Sequence, residues 1–195
     1  MGAIWKLWNF LSKPTASYSV LAICLAGLIV GIGSVIAFEV TLSATSTEEF
    51  CISCHEMSDN AAMMLEGTAH HMNRSGVRPT CSDCHVPQEF IPKMIRKIEA
   101  SREVWGTITG IIDTPEKYAA HAPKMKEREL NRLRANDSQE CRNCHDVNHM
   151  LASQQSKKAQ NFHRAGAKKN KTCVDCHAGL THTPKNQLSA ITVGH

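Results

Sequence analysis

Cys51-Ile-Ser-Cys54-His55 puts two thiols and an imidazole within five consecutive residues, and the pattern recurs three times. The later copies are Cys81-x-x-Cys84-His85, Cys141-x-x-Cys144-His145 and Cys173-x-x-Cys176-His177. This is the pattern of covalent c-type haem attachment: two thioethers tie the porphyrin, and the adjacent histidine reaches the iron from one face. One copy alone could be a zinc or redox motif, but four with the histidine in register point to four covalently held haems. Eight of the nine cysteines are used in this way, leaving only Cys24. A disulfide framework would not place a histidine after every second cysteine.

Each iron has a second axial position to fill or leave open. Outside the motifs lie His70, His71, His121, His149, His163, His182 and His195. The first cysteines are spaced 30, 60 and 32 residues apart, which suggests a duplicated two-haem unit. Local sequence agrees: His71 precedes Cys81 by ten positions, as His163 precedes Cys173, and Thr80 and Asp83 match Thr172 and Asp175. If equivalent positions do equivalent jobs across the two halves, His70 or His71 serves the fourth haem and His163 the second. Suppose that His182, five residues after His177, ligates the third. The position five after His85 is Phe90, so the first haem lacks an evident distal histidine. It either keeps an open position opposite His55 or takes Met57. His71 and His149 remain further candidate ligands. His121, between proline-bounded stretches, and the terminal His195 are discounted.

The elements that hold these residues must do so without much apolar material. Aromatics make up 5% of the chain, and much of the apolar content is near the N-terminus. From about residue 40 onward an ordinary hydrophobic core is hard to build, and porphyrins could fill that role. No charge occurs from Pro14 to Phe38, a stretch long enough to cross a bilayer. It reads as an uncleaved anchor over 18–38, after a cytoplasmic segment 1–17 in which Lys6 and Lys13 obey the positive-inside rule. The rest is a periplasmic domain over 39–184 with a polar tail at 185–195. Gly27 and Gly31 make a small-xxx-small face that would suit a homodimer. Thr45–Glu49 reads as a helix start capped by Ser46 or Thr47, and 88–134 as largely helical with breaks at Pro115 and Pro123. The fold class expected is mostly α: one N-terminal transmembrane helix, then a small multihaem domain with little regular structure beyond helices.

The formal net charge is +4, unevenly spread. Residues 1–114 hold 8 Lys/Arg against 11 Asp/Glu, and residues 115–195 hold 14 against 7. The basic half could steer an acidic redox partner, with 157–171 as the docking patch. Nucleic acid is not an expected partner, because the basic residues are not interleaved with stacking aromatics.

The chain resembles the NapC/NirT family of membrane-anchored tetrahaem cytochromes c over nearly its whole length, most closely the NapC branch, with NrfH and CymA types as relatives. The resemblance rests on the anchor, the four motifs at these spacings and Cys-Ile-Ser-Cys-His-Glu-Met57. It rests also on Asn73-Arg-Ser-Gly-Val-Arg78 leading into Cys-Ser-Asp-Cys-His-Val-Pro87, and on Cys-Val-Asp-Cys-His-Ala-Gly179. It implies an inner-membrane quinol dehydrogenase that draws on ubiquinol or menaquinol and feeds a periplasmic reductase, nitrate reductase for the NapC branch. Nitrite, TMAO or several acceptors are the alternatives, as is a passive relay with no quinol site of its own. By the resemblance Met57 is an axial ligand of the first haem, and His70, His163 and His182 are distal histidines. Lys97 and Glu103 line the quinol pocket. Read without the family, Arg96, Lys97, Glu99, Arg102 and Glu103 also make ordinary helix-surface charge pairs. One departure is Gln88, where NapC sequences often carry histidine; it argues against four bis-histidine haems.

Overall fold

The uncharged run forms one long helix because little within it competes for the backbone. Ser34 and Thr41 turn their hydroxyls back onto Val30 O and Ala37 O, each at 2.8 Å, so neither leaves a polar group unpaired. The computed structural model describes residues 2–11 and 18–182, which divide into two compact units, Met1–Ala44 and Thr45–His195. The first unit holds α1 (Gly2–Leu11) and α2 (Val20–Ala44). At 25 residues α2 is about 37 Å long, more than the hydrocarbon thickness of a bilayer. It runs past the expected end at Phe38 through Glu39 to Ala44. The tail at 185–195 lies outside the described residues.

The second unit is a chain of short helices around two longer ones, with no strand among the described residues. Its elements are α3 (Glu48–Cys51), a π-helical turn (Met57–Ala62), α4 (Met63–Leu65), α5 (Cys81–His85), α6 (Phe90–Ile108) and α7 (Pro115–Ala135). After these come α8 (Gln139–Arg142), a 3-10 turn (Ala152–Gln154), α9 (Lys157–Lys168) and α10 (Val174–His177). Thr47 caps α3, its hydroxyl accepting from Phe50 N at 3.2 Å. Thr114 caps α7 ahead of Pro115, whose missing N–H costs nothing in the first turn. Pro123, expected as a break, lies inside α7 without ending it. One lost ladder bond is tolerated there because helix continues for several turns on either side and α7 is cross-linked by side chains. His121 is accordingly a helical residue, with Nδ1 3.3 Å from Lys117 O.

Each haem motif, or part of it, is itself a helical turn, and these turns pack on one another. α3 lies against α5, α5 against α8, and α10 against α7. Among the described residues only Ile112 and Val174 are buried apolar side chains. A polypeptide of this size that folds by hydrophobic burial alone covers far more of its surface. The expectation of a chain poor in core material therefore agrees with the structure.

Candidate functional site

The motif helices are built by the same local device in both halves. Asp83 Oδ2 accepts from the backbone N–H and the hydroxyl of Thr80, both at 2.7 Å. Asp175 Oδ2 accepts from Thr172 N at 2.9 Å. The matched Thr and Asp pairs thus start the turn that carries each cysteine pair. The first cysteines then come together in the same way, Cys51 beside Cys81 and Cys141 beside Cys173. Cys84 lies within the fields of Cys141 and Cys144, which links the two halves.

Three motif histidines each face a second imidazole. His85 and His182 have ring centroids 5.9 Å apart, His145 and His70 6.1 Å, and His177 and His163 6.1 Å. Two imidazoles bound to one metal from opposite sides need two bonds of about 2 Å plus about 1.1 Å within each ring, or about 6 Å in all. Tautomers suit the same role. His182 Nδ1 lies 3.0 Å from Ala61 O, His163 Nδ1 2.9 Å from Gln155 Oε1 and His85 Nδ1 2.9 Å from Glu129 Oε1. Each of these oxygens can only accept, so Nδ1 carries the hydrogen and Nε2 is left for the metal. Burial first, and the neighbouring motif histidine second, hold His70 and His182 below the ordinary histidine pKa, which favours the neutral ring that ligation requires.

These pairings are not the ones expected from the repeat. His70 stands by His145 of the third motif rather than His177 of the fourth, and His163 by His177 rather than His85. His182 stands by His85 of the second motif rather than His145 of the third. The two halves pack through α5 and α8; His70 meets His145 and His182 meets His85 across the halves, whereas His163 meets His177 within the second half. His71 has a buried Nδ1 without a partner, and His149 is exposed with Nδ1 2.6 Å from Asp146 Oδ2.

His55 is the exception, with no facing imidazole among the described residues. It lies 3.5 Å from Glu56 Oε1, whose side chain is buried, and Met57 begins the π-helical turn. Such turns occur mostly as single insertions at functional positions. Asp113 is near enough to feel His55. The Lys117 hydrogen bond holds its carboxyl below the ordinary range, with His55 adding a smaller push in the same direction. Sequence reasoning missed Asp113, which no spacing ties to the first motif.

Lys97 and Glu103 point to different partners. Lys97 Nζ donates to Thr45 O at 2.6 Å and Thr45 Oγ1 at 2.8 Å. Glu103 pairs with Arg128 of α7 through Oε1. Six residues apart on α6, the two side chains leave the helix about 120° from one another. Burial, helped by Lys93, pushes the Lys97 amine below its ordinary pKa.

The model of the NapC/NirT cytochrome c family, N-terminal region, matches residues 13–187. The chain belongs to the NapC/NirT cytochrome c family. It is therefore an electron-transfer cytochrome, of a family that binds haem covalently. Among its relatives is the denitrification system component NirT of Stutzerimonas stutzeri, 46% identical over 88% of this chain and 86% of its own length. Another is the cytochrome c-type protein NapC of Escherichia coli, 44% identical over 93% of this chain and 90% of its own length. The cytochrome c-type protein TorC of Escherichia coli is 42% identical over 91% of this chain but only 45% of its own length. No solved structure matches the chain.

Proposed function

We propose that the chain is a quinol dehydrogenase: a membrane-anchored cytochrome with four covalent haems that takes electrons from quinol at its first motif and delivers them to a periplasmic reductase. The observation that carries this reading is the division among motif histidines. His85, His145 and His177 each face a second imidazole, and His55 does not. Met57 is then free to serve the first haem, in the motif that follows the apolar helix most closely along the chain. Haem, when bound, would supply one-electron carriers, and His70, His163 and His182 would help hold the groups attached at the third, fourth and second motifs.

The remaining chemistry falls on side chains. Quinol loses two protons with its two electrons, so its site needs a donor to hold the oxygen and an acceptor for protons. Lys97 suits the first task, because its amine is already held by Thr45, the residue that follows the apolar helix. Glu103 suits the second through Oε2, which is buried without a hydrogen-bond partner while Oε1 meets Arg128. With Lys6 and Lys13 on the cytoplasmic side, residues from Thr45 onward lie in the periplasm. Likeness to NapC favours nitrate reductase as acceptor. Likeness to a denitrification system component favours, as a second reading, a reductase of that system.

The test is reduction of the full haem-loaded chain in lipid nanodiscs by ubiquinol and menaquinol analogues, followed by absorbance. Direct reduction is expected. Lys97→Gln should slow it about 100-fold, the typical loss on removing one placed donor, while dithionite reduction and haem content stay unchanged. A wild-type chain that no quinol reduces would be a passive relay instead.

A further inference from the structure

α6 is amphipathic in the inverted sense. Three of its charged side chains face its own domain, while Glu99 and Arg102 are exposed: Arg96 Nε donates to His85 O at 3.2 Å, Lys97 to Thr45, and Glu103 pairs with Arg128. Ile91, Ile95, Ile98 and Trp105 share another stripe, with Arg102 within it and Ile108 at its edge. They are turned to the outside, with Ile98 72%, Ile108 70% and Trp105 63% exposed. The motif residues that α6 meets lie on its polar side. Arg96 touches the second motif, and Lys97 is close enough to feel Cys51 of the first. An unpaired apolar stripe over several turns is costly in water and marks a surface that something covers.

We propose that this outward stripe of α6 lies in the boundary between headgroups and acyl chains of the bilayer, so that the domain is seated on the membrane by a second, in-plane contact. Continuity with the anchor argues for lipid. Lys97 on α6 is hydrogen-bonded to Thr45, and Thr45 directly follows Ala44, the last residue of the long apolar helix. The composition of α6 suits that depth: a tryptophan and isoleucines on the stripe, with Arg102 among them long enough to reach anionic headgroups. Seating α6 in this way holds Lys97 at the level a quinol headgroup reaches, a consequence that rests on the quinol reading, whereas the membrane contact itself needs only the anchor.

The test places a nitroxide on Ile98→Cys, with Ile108→Cys as a second position, in the full haem-loaded chain in nanodiscs of phosphatidylethanolamine and phosphatidylglycerol. Asn161→Cys on α9 is the water-facing reference. An unchanged haem spectrum shows that each variant has folded. The ratio of collisions with dissolved oxygen to collisions with a water-soluble nickel complex should be several-fold higher at both α6 positions than at 161. An α6 label as open to nickel as the reference would overturn the proposal. So would one shielded from both reagents, which would assign the stripe to a second protein surface. Quinol reduction in the same sample reads the quinol site separately, so a water-facing α6 with intact turnover would sink this proposal alone. Chain that does not co-purify with discs would overturn the anchor reading and this one together.

Discussion

His85 differs from the other motif histidines in what holds its outer nitrogen. Its Nδ1 meets Glu129, which also accepts from Arg132 Nη2 at 2.7 Å; Arg132 in turn reaches Glu140 Oε1 at 2.5 Å and Cys84 O at 3.3 Å. Burial pushes the Glu129 carboxyl up, but the hydrogen bonds from His85 and Arg132 outweigh it and hold it well below the ordinary carboxylate range. An ionised acceptor makes the imidazole a stronger donor to iron and favours the oxidised state. Glu129→Gln should therefore raise the potential of the second haem, by about 60 mV if the states differ by about 1.4 kcal/mol, measured by potentiometric titration. The same pair sets a pH dependence. A carboxylate with a depressed pKa stabilises the fold fully above its unfolded value, near 4.5, and loses that contribution as pH falls further. Wild type and Glu129→Gln should thus differ in denaturant midpoint at pH 7 and converge on acidification. At this scale the four Cys-x-x-Cys-His motifs and the other histidines were legible as residues, because they are local features of the sequence. The partner of each histidine was not, since it depends on how α5 and α8 stack. Glu129, Asp113 and Asp137 carry no motif at all.

Between α7 and α8 the backbone does something that spacing did not reveal. Asp137 and Ser138 both adopt positive φ, 55° and 53°, a conformation that non-glycine residues take only where surroundings enforce it. Ser138 is fully buried; its N–H donates to Leu133 O at 2.6 Å and its hydroxyl accepts from Val174 N at 3.4 Å. That last bond ties the start of the third motif to the fourth. Ser138→Ala leaves a buried N–H unpaired and should cost about 1–3 kcal/mol, read as a lower denaturant midpoint with unchanged haem stoichiometry. The element-level features that were readable, such as a cap at Ser46 or Thr47 and the break at Pro115, are set by residues within a turn of one another. Pro123 and the Asp137–Ser138 reversal were not readable, because tertiary contacts overrode local preference in both.

Charge and topology set the behaviour of the whole molecule. α9 carries Lys157, Lys158, Arg164 and Lys168 with no acid, on the same helix as His163, which faces the fourth motif. An acidic acceptor steered to α9 would meet the chain where electrons leave it. Reversing Lys157 and Lys158 to glutamate should lower the second-order rate of acceptor reduction and flatten its salt dependence, while quinol reduction is unaffected; stopped-flow at two ionic strengths checks this. The proposed route then has its entry end at the first motif and its exit end at the fourth. What makes the first end distinct is its ligand set, and that can be counted. Near-infrared magnetic circular dichroism of the oxidised chain resolves bis-histidine haems from all others. Three bis-histidine haems and one of another kind, the latter altered by Met57→Leu, is the result predicted; four bis-histidine haems would contradict the account.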